Sequence, residues 1–350
     1  MYPTLIGEGD WALPSYFAML MLGFFLAVWL LRYQADKKGM DRRQIVDLSI
    51  FLLIAGVVGA RLFHVLFDGY FNDYINLCLD PSALGKALPS GLECTADDVC
   101  RAAQDTGQDI GELCNRSTGL CEPAQDCFRA LKFWSGGLTY YGGFLFSLVV
   151  AIVFTRRWKW SFLDFADMAA PTVAVALAFG RVGCFLSGCC FGEVCDLPWA
   201  VRFPAGSAAW RAQRELDPGA LTEQFNALGR TEWLSLPVHP TQLYEAGAMF
   251  AVFALLWFGL RTRKKFEGQV IAWLLIFYGL VRFTVEFWRA DQRGGIGIFS
   301  TSQWISFPLV GLGVFLLYWG AKRARNLPAG TLSEAGDPAD SDAVTPDQDR

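Results

Sequence analysis

Three arginines lie inside or at the edge of apolar stretches of the sequence, namely Arg61, Arg181 and Arg282. A charge at the centre of a bilayer costs roughly 2.5 to 3.5 kcal/mol on insertion scales, so each arginine should face a partner, a cavity or a bound anion. One interpretation pairs each of them with Glu245 or Glu286 and makes the pairs purely structural. The other makes Arg181 and Arg282 joint ligands of one lipid phosphate.

The stretch around Arg282 carries a polar stripe. Tyr278, Arg282, Glu286 and Arg289 recur at three- to four-residue spacing, so on a helix they share one face of an otherwise apolar segment. A stripe facing lipid would be unstable, and this one must line a cavity or another helix. The spacing fits an internal Arg282–Glu286 ion pair equally well.

The stretch from His239 to Glu245 predicts the start of a helix, because Pro240 suits the first helical turn. It would bring His239, Gln242 and Glu245 near one another. A histidine at a helix start is more often a cap or a hydrogen-bonded spectator than a base. Its location at the outer rim of a span keeps proton transfer by His239 open.

A glycine-rich stretch, Gly136-Gly-Leu-Thr-Tyr140-Tyr141-Gly142-Gly143, opens another apolar run. Its glycines would let a helix or a lipid chain approach the backbone closely. Tyr141 would face that approach, although tyrosines at a membrane interface commonly serve as anchors.

The elements that must position these side chains are membrane helices. The 350 residues are 53% hydrophobic and 18% charged, with 29 Phe and 13 Trp, which is too apolar for an ordinary soluble domain. This composition excludes disorder, fibres and nucleic-acid binding, and the formal net charge of −4 supplies no basic field for a polyanion. Apolar runs of about 17 to 23 residues recur, each roughly long enough to cross a bilayer as a helix. They predict an all-α integral membrane protein with about seven spans: Pro14–Leu31, Ile45–Phe67, Gly136–Thr155, Phe165–Phe185, Pro240–Leu260, Gln269–Phe287 and Trp304–Gly320.

Basic residues predict the orientation of these spans. Four short segments, 32–44, 156–163, 261–267 and 321–325, hold 15 of the 30 Lys and Arg residues. By the positive-inside rule these segments are cytoplasmic, which places the N-terminus outside and the C-terminus in the cytoplasm. We expect the first span to be retained rather than cleaved as a signal peptide, because nothing basic precedes it and five cations follow it.

Ten cysteines lie on or near the predicted outer side, where disulfides form. Six fall in the loop between the second and third spans and predict a small disulfide knot with 15 possible pairings: Cys78, Cys94, Cys100, Cys114, Cys121 and Cys127. The other four cluster after the fourth span: Cys184, Cys189, Cys190 and Cys195. Two disulfides are the first interpretation of this cluster, and a zinc site or a redox-active vicinal pair are the alternatives.

The predicted organisation follows from these patterns. It comprises helices one and two (1–67), an extracytoplasmic cysteine-rich insert (68–135), helices three and four (136–186), an extracytoplasmic head segment (187–238), helices five to seven (239–325) and an acidic tail (326–350). We expect the tail to be disordered, because its acids, prolines and small residues cannot bury enough apolar surface to fold.

Taken together and in order, the motifs resemble the prolipoprotein diacylglyceryl transferase family. The resemblance runs through all seven predicted spans and is strongest in the His239 and Arg282 stretches. Its motifs are Tyr16, Gly59-Ala-Arg61, Gly136 to Gly143, Gly180-Arg181-Val-Gly183, Pro198-Trp-Ala-Val-Arg-Phe-Pro204, His239-Pro-Thr-Gln-Leu-Tyr-Glu245, Tyr278 to Arg289, and Gln303-Trp-Ile-Ser306.

The resemblance implies transfer of the diacylglyceryl group of phosphatidylglycerol to the cysteine thiol of a prolipoprotein lipobox, with release of glycerol phosphate. It implies a bacterial inner membrane, an active site toward the periplasm, membrane lipid and prolipoprotein signal peptides as partners, and neither a metal nor a soluble cofactor.

The resemblance also implies roles for single residues. Arg181 and Arg282 would stabilise the phosphate leaving group, because cations aimed at developing charge in a dry site lower the barrier. His239 is the first candidate for proton transfer, with Tyr141 and Glu286 as further catalytic candidates. The expected substrate-binding residues are Arg181, Tyr16, Arg61, Gln242, Tyr244, Glu245 and Arg289.

Three departures from the family pattern leave other functions open. Tyr141 stands where the family usually has a histidine, and a tyrosine of pKa about 10 is a poor base near neutral pH. Cys184 and Cys189 stand where the family usually has Asn and Glu, and the cysteine-rich insert is foreign to its core. A non-catalytic relative that binds lipid or lipoprotein precursors, and more remotely a membrane thiol-redox protein, are the alternatives.

Overall fold

Long helices dominate the chain. A computed structural model describes residues 4–6, 13–88, 93–105, 111–132, 137–216, 219, 234–290 and 295–326. Its α-helices in chain order are α1 (Ser15–Lys37), α2 (Arg42–Phe67), α3 (Phe71–Leu79), α4 (Asp97–Asp105), α5 (Tyr140–Arg157), α6 (Phe162–Ser187), α7 (Ala208–Leu216), α8 (Thr241–Ala254), α9 (Gln269–Val285) and α10 (Thr301–Asn326).

Six of these helices are long and apolar enough to cross a membrane, which confirms the all-α membrane class. They are α1, α2, α6, α9, α10 and α8, the last extended by a π-helical turn (Leu255–Leu260) and a 3₁₀ turn (Arg261–Arg263). The helix in the third predicted span, α5, is shorter, with 18 residues that begin with two tyrosines and end in two arginines. The count of seven spans and their orientation therefore stay predictions.

Helix α6 lies at the centre of the bundle and packs against α1, α8 and α9. Ala170, Ala174 and Ala178 recur every fourth residue along its buried face and pack against Met249 of α8 and Leu274 of α9. Small side chains at this spacing let neighbouring helices approach closely. This packing aligns the ends of α6, α8 and α9, which carry most of the predicted site residues.

The basic segments lie together at one end of the bundle. Lys264, after α8, contacts the Asp164 carboxylate at 2.6 Å, and Lys38, after α1, contacts the same carboxylate. Ser161 hydrogen-bonds Glu267 across the same end. Three of the four segments predicted to be cytoplasmic therefore lie at the same end of the bundle, as segments on one side of a membrane must.

Three disulfides cross-link the cysteine-rich insert and confirm the predicted disulfides. The pairs are Cys78–Cys127, Cys94–Cys114 and Cys100–Cys121. A two-stranded antiparallel hairpin, β3 (Leu113–Asn115) with β4 (Leu120–Glu122), carries two of the six cysteines. Short 3₁₀ turns flank it at Pro81–Leu84 and Arg129–Leu131.

Two further strand pairs are short: β1 (Thr4–Ile6) with β2 (Leu13–Pro14), and β5 (Gly295–Ile296) with β6 (Phe299–Ser300). The predicted disordered tail, beyond its first residue Asn326, lies outside the described residues, as does Gly136 at the start of the third predicted span.

The segment after α6 covers the end of the bundle opposite the basic segments. Isolated bridges connect Val194 and Val201 to Val238, and Gly192 to Arg289. Phe191, Phe203, Ala209 and Val238 form a small buried core beneath these bridges. The backbone around the start of α8 and the end of α9 is thereby fixed.

Candidate functional site

Two of the predicted arginines converge on one buried carboxylate. Arg181 Nη2 of α6 lies 2.9 Å from Glu245 Oε1, and Arg282 Nη1 of α9 lies 3.6 Å from Glu245 Oε2. The Glu245 side chain is 2% exposed, so this contact is screened from water. Three helices that are distant in sequence therefore bring their charges to one point.

The polar stripe of α9 continues this network. Arg282 Nη2 lies 2.8 Å from Glu286 Oε2, and Arg289 Nε lies 3.9 Å from the same oxygen. Arg282 also donates a 2.7 Å hydrogen bond to Ser302 Oγ at the start of α10. The i,i+4 ion pair predicted from spacing is present, and Ser302 is a site residue that the spacing did not indicate.

Local structure explains how the helix ends reach this point. Gly188, at φ 71°, ends α6 in the left-handed conformation and turns the chain over the site. The 3₁₀ turn Glu286–Trp288 ends α9 and tightens its last turn. Gln242 Nε2 donates a 2.6 Å hydrogen bond to the carbonyl oxygen of Cys189, which holds that turn against the start of α8.

Several buried polar atoms at this network make no hydrogen bond among the described residues. Glu286 Oε2 is one of them, but it lies 2.8 Å from Arg282 Nη2 in an ion pair. Gln242 Oε1 is another, and Glu245 Oε2 and Arg282 Nη1 face each other only at 3.6 Å. Unsatisfied buried groups are rare in native proteins and call for an explanation such as a ligand or ordered water. The Gln242 and Glu245 oxygens are acceptors, and the Arg282 nitrogen is a donor. A ligand with hydroxyl groups and an anionic oxygen would satisfy all three.

The charges of the network sum to one positive charge. Arg181, Arg282 and Arg289 supply three cations, and Glu245 and Glu286 supply two anions. A monoanionic phosphate ester would therefore leave the buried cluster neutral. Arginine suits this task because its planar fork of donors matches phosphate geometry.

His239 lies beside this network, at the start of α8. Its Nδ1 is 3.3 Å from the Tyr244 hydroxyl, which accepts a 2.8 Å hydrogen bond from Trp199 Nε1. The Tyr244 ring also packs edge-on against Trp288 next to Arg289. His239 is partly buried and carries a partner that can orient its ring, as a proton-transfer residue requires.

Tyrosines surround the arginine and glutamate cluster. Tyr16 of α1 packs against Gly183 and lies within electrostatic range of Arg181. Tyr140 lies within electrostatic range of Arg181 and Glu245. Tyr141 is half-exposed, and its ring contacts the Tyr140 ring edge to face. Tyr141 was predicted from its place in the family motif, where a histidine usually stands, and Tyr140 was not among the predicted site residues.

Arg61 makes different contacts from the other two arginines. Its guanidinium donates hydrogen bonds to the backbone carbonyls of Ala130 at 2.9 Å, Gly137 at 3.0 Å and Arg129. It also lies 5.2 Å from the centre of the Tyr74 ring. In the described chain, Arg61 holds the entrance to α5, and its predicted role in substrate binding stays a prediction.

The four cysteines after the fourth predicted span differ from the first interpretation of their pattern. Cys184, Cys189, Cys190 and Cys195 are not disulfide-bonded, so the expectation of two disulfides was wrong. The Sγ atoms of the first three lie within 4.8 Å of one another, and Cys195 lies outside this group. The turn at Gly188 brings the thiols of Cys184, Cys189 and Cys190 together, and Cys195 is not part of this group.

Comparison with known proteins gives a consistent result. A sequence model of the family described as prolipoprotein diacylglyceryl transferase matches residues 3–88 and 122–319. The residues between these two matched ranges, 89–121, lie inside the cysteine-rich insert. The match therefore covers every residue of the arginine and glutamate network.

Curated relatives carry the same description. A phosphatidylglycerol–prolipoprotein diacylglyceryl transferase of Burkholderia ambifaria is 30% identical over 339 residues, or 92% of this chain and 95% of the relative. Proteins of that name from Nitrosomonas europaea and Paraburkholderia xenovorans are 28% identical over 343 residues and 38% identical over 213 residues. The match to the Nitrosomonas protein covers 93% of this chain and 95% of the relative. The match to the Paraburkholderia protein covers 58% of this chain and 69% of the relative.

Proposed function

The chain belongs to the prolipoprotein diacylglyceryl transferase family, and we propose that it transfers the diacylglyceryl group of phosphatidylglycerol to the cysteine thiol of a prolipoprotein lipobox. The observation that carries this proposal is the convergence of Arg181 and Arg282 on Glu245 in a buried cluster with one net positive charge. The multi-pass membrane bundle supports access to a lipid substrate. We assign the site to the periplasmic side of the bacterial inner membrane.

The reaction breaks the bond between the glyceryl carbon and the phosphate oxygen, and forms a bond between that carbon and the thiol sulfur. Negative charge grows on the departing glycerol phosphate. Arg181 and Arg282 would stabilise this charge from a site that excludes water, where such interactions are stronger than in solution. Glu245 and Glu286 would hold the two guanidiniums in position before the substrate arrives.

The headgroup of phosphatidylglycerol has groups that match the unsatisfied atoms of the site. Its phosphate oxygens can accept from Arg282 Nη1, and its terminal glycerol hydroxyls can donate to Gln242 Oε1 and Glu245 Oε2. Tyr16, Tyr141 and Arg289 would complete the headgroup pocket. Hydroxyl donors on the ligand distinguish phosphatidylglycerol from a phosphate ester that lacks them.

The thiol proton also needs an acceptor. A thiol of pKa about 8.5 must lose its proton to become a good nucleophile. His239 is the candidate base, since the Tyr244 hydroxyl at 3.3 Å can orient its ring and relay a proton. The proton would finally reach the released glycerol phosphate, so no external reactant is needed.

The family departures do not remove the contacts on which this proposal rests. Gln242 bonds the backbone carbonyl of residue 189, so this contact persists with a cysteine side chain at that position. Tyr141 is half-exposed and contributes a phenol rather than a base. Neither change touches the Arg181, Glu245 and Arg282 contacts.

Replacing one phosphate ligand tests the proposal. Arg282→Ala should reduce transfer to a lipobox peptide by at least about 100-fold, the usual cost of losing a preorganised donor to a developing anion. Arg323→Ala is the matched control, because Arg323 is exposed and packs over Trp319 in α10 at the opposite end of the bundle. Retained turnover in Arg282→Ala, with normal folding, would remove the phosphate-binding assignment.

A further inference from the structure

Three thiols of the chain gather beside the arginine network. Cys184 is buried in the last turn of α6, and Cys189 and Cys190 follow that turn directly. The three Sγ atoms lie within 4.8 Å of one another. The transferase chemistry proposed above uses none of these sulfurs.

The backbone holds this cluster from two sides. Cys190 adopts a φ of 61°, a conformation that costs energy for a residue with a side chain. Thr241 Oγ1 donates a 2.8 Å hydrogen bond to the Cys190 carbonyl, and the Cys189 amide donates a 3.1 Å bond to the Cys184 carbonyl. The Gln242 bond to Cys189 adds a third constraint. The thiols are therefore preorganised rather than carried on an unconstrained loop.

Positive charge lies next to the cluster. Hydrogen bonds from the thiols of Cys184 and Cys189, together with the nearby positive charge of Arg289, lower the pKa of the Cys190 thiol despite its burial. Arg181 lies within electrostatic range of Cys184 and Cys190. These surroundings favour a thiolate, the form that binds metal ions, at Cys190. A metal ion that binds the other thiols deprotonates them on coordination.

We propose that Cys184, Cys189 and Cys190 form a three-sulfur site for one soft monovalent metal ion, with Cu(I) as the preferred occupant. Soft thiolate ligands select Cu(I) over harder divalent ions. Structural zinc sites almost always use four ligands, and this group of described residues offers three. Three thiolates around Cu(I) carry two negative charges, and the adjacent arginine and glutamate network, with one net positive charge, offsets part of them.

The geometry requires little movement. With metal–sulfur bonds of about 2.3 Å, a trigonal site places its sulfurs about 4.0 Å apart. Sulfurs already within 4.8 Å of one another are less than about 1 Å from that spacing. A disulfide would instead use two of the sulfurs and leave the third unbound.

Anaerobic Cu(I) titration of the full-length reduced protein in detergent, against a chromogenic Cu(I) chelator, tests this proposal without any activity assay. We expect one tightly bound Cu(I) per chain. Cys184→Ser and Cys189→Ser should each weaken binding by at least about 100-fold, since even ligand-supporting residues are worth 10- to 100-fold. Cys195→Ser is the matched control and should bind as the wild type does.

X-ray absorption of the copper-loaded wild-type protein gives a measurement that does not depend on the folding of any variant. Three sulfur neighbours at a single distance are the expected result. Fewer than three sulfurs, unchanged affinity in Cys184→Ser, or an equal loss in Cys195→Ser would overturn the proposal. A Cys184–Cys189 disulfide in the protein isolated from its membrane would overturn it as well.

Discussion

At the scale of single residues, Glu245 determines the arrangement of the site. Its two oxygens contact arginines from two different helices, and its side chain is almost fully buried. Removing the carboxylate would take away the anion that Arg181 contacts and would leave Arg282 paired with Glu286 only, so the buried network would gain one more net positive charge. Glu286 differs, because Arg282 keeps its contact with Glu245 when Glu286 is neutral.

Neutral replacements of the two glutamates should separate these roles. We expect Glu245→Gln to destabilise the protein by about 3 to 5 kcal/mol, the usual cost of breaking one side of a buried pair. Glu286→Gln should cost clearly less. Thermal unfolding in detergent, followed by tryptophan fluorescence, measures both, and equal destabilisation would contradict the central position of Glu245.

The sequence predicted part of this residue-scale picture. The charges of Arg181 and Arg282 in apolar runs indicated buried partners, and the i,i+4 spacing indicated the Arg282 and Glu286 pair. That both arginines share Glu245 depends on how α6, α8 and α9 pack, which no local pattern encodes. The expectation of two disulfides near Gly188 was wrong for the same reason, because a tertiary turn decides which thiols meet.

At the scale of elements, one buried carboxylate of α6 caps the start of α9. Asp167 accepts backbone hydrogen bonds from Gly268, Val270 and Ile271 at 2.8 to 3.0 Å. The first amides of a helix have no partner within that helix, so Asp167 supplies what the sequence near Gly268 does not. Helix α9 thereby starts at a fixed position relative to α6.

Truncation of this cap should loosen α9. We predict that Asp167→Ala destabilises the protein by about 3 kcal/mol or more, because several hydrogen bonds to a buried charge are lost together. Asp164→Ala is the control, since Asp164 is more exposed and pairs only with Lys38 and Lys264 in the described chain. Denaturant titration in detergent measures the difference, and similar losses in both variants would argue against the cap.

A second element-scale prediction concerns the contact between α2 and α5. A Cβ added at Gly142 would lie 2.4 Å from the Gly59 carbonyl oxygen and 2.2 Å from Phe63 Cβ. We expect Gly142→Ala to cost about 1 to 3 kcal/mol by overpacking. Gly247→Ala in α8 meets nothing within 4 Å and should be neutral or stabilising by up to about 1 kcal/mol.

Unfolding of both alanine variants under identical detergent conditions provides the comparison. A neutral Gly142→Ala would mean that α2 and α5 do not approach as closely as described. Hydropathy located these helices to within a few residues, since an apolar run is a local property. It did not reveal the crossing point at Gly59 and Gly142, because only the packed pair shows which glycines meet.

At the scale of the whole molecule, the cysteine-rich insert is a separately cross-linked unit added to the membrane bundle. Cys100 and Cys121 are fully buried at its centre, and the family match is interrupted at residues 89–121. Its six cysteines indicated disulfides, although their pairing could not be predicted, because 15 pairings are compatible with the same spacing. The insert should therefore be stabilised independently of the helices.

A double variant tests this independence. Cys100→Ser with Cys121→Ser should make the insert sensitive to added protease, because removing a native disulfide from a small domain typically costs 2 to 5 kcal/mol. The unfolding temperature of the helical bundle should stay unchanged. A matching fall in that temperature would mean that the insert and the bundle unfold as one unit.

The function of the whole molecule is tested most directly by transfer itself. Purified protein, phosphatidylglycerol in detergent and a lipobox peptide would be incubated together and analysed by mass spectrometry. Our account predicts a thioether-linked diacylglyceryl peptide and an equal amount of released glycerol phosphate. Binding of phosphatidylglycerol to the folded protein without any such product would contradict it and favour a non-catalytic lipid-binding relative.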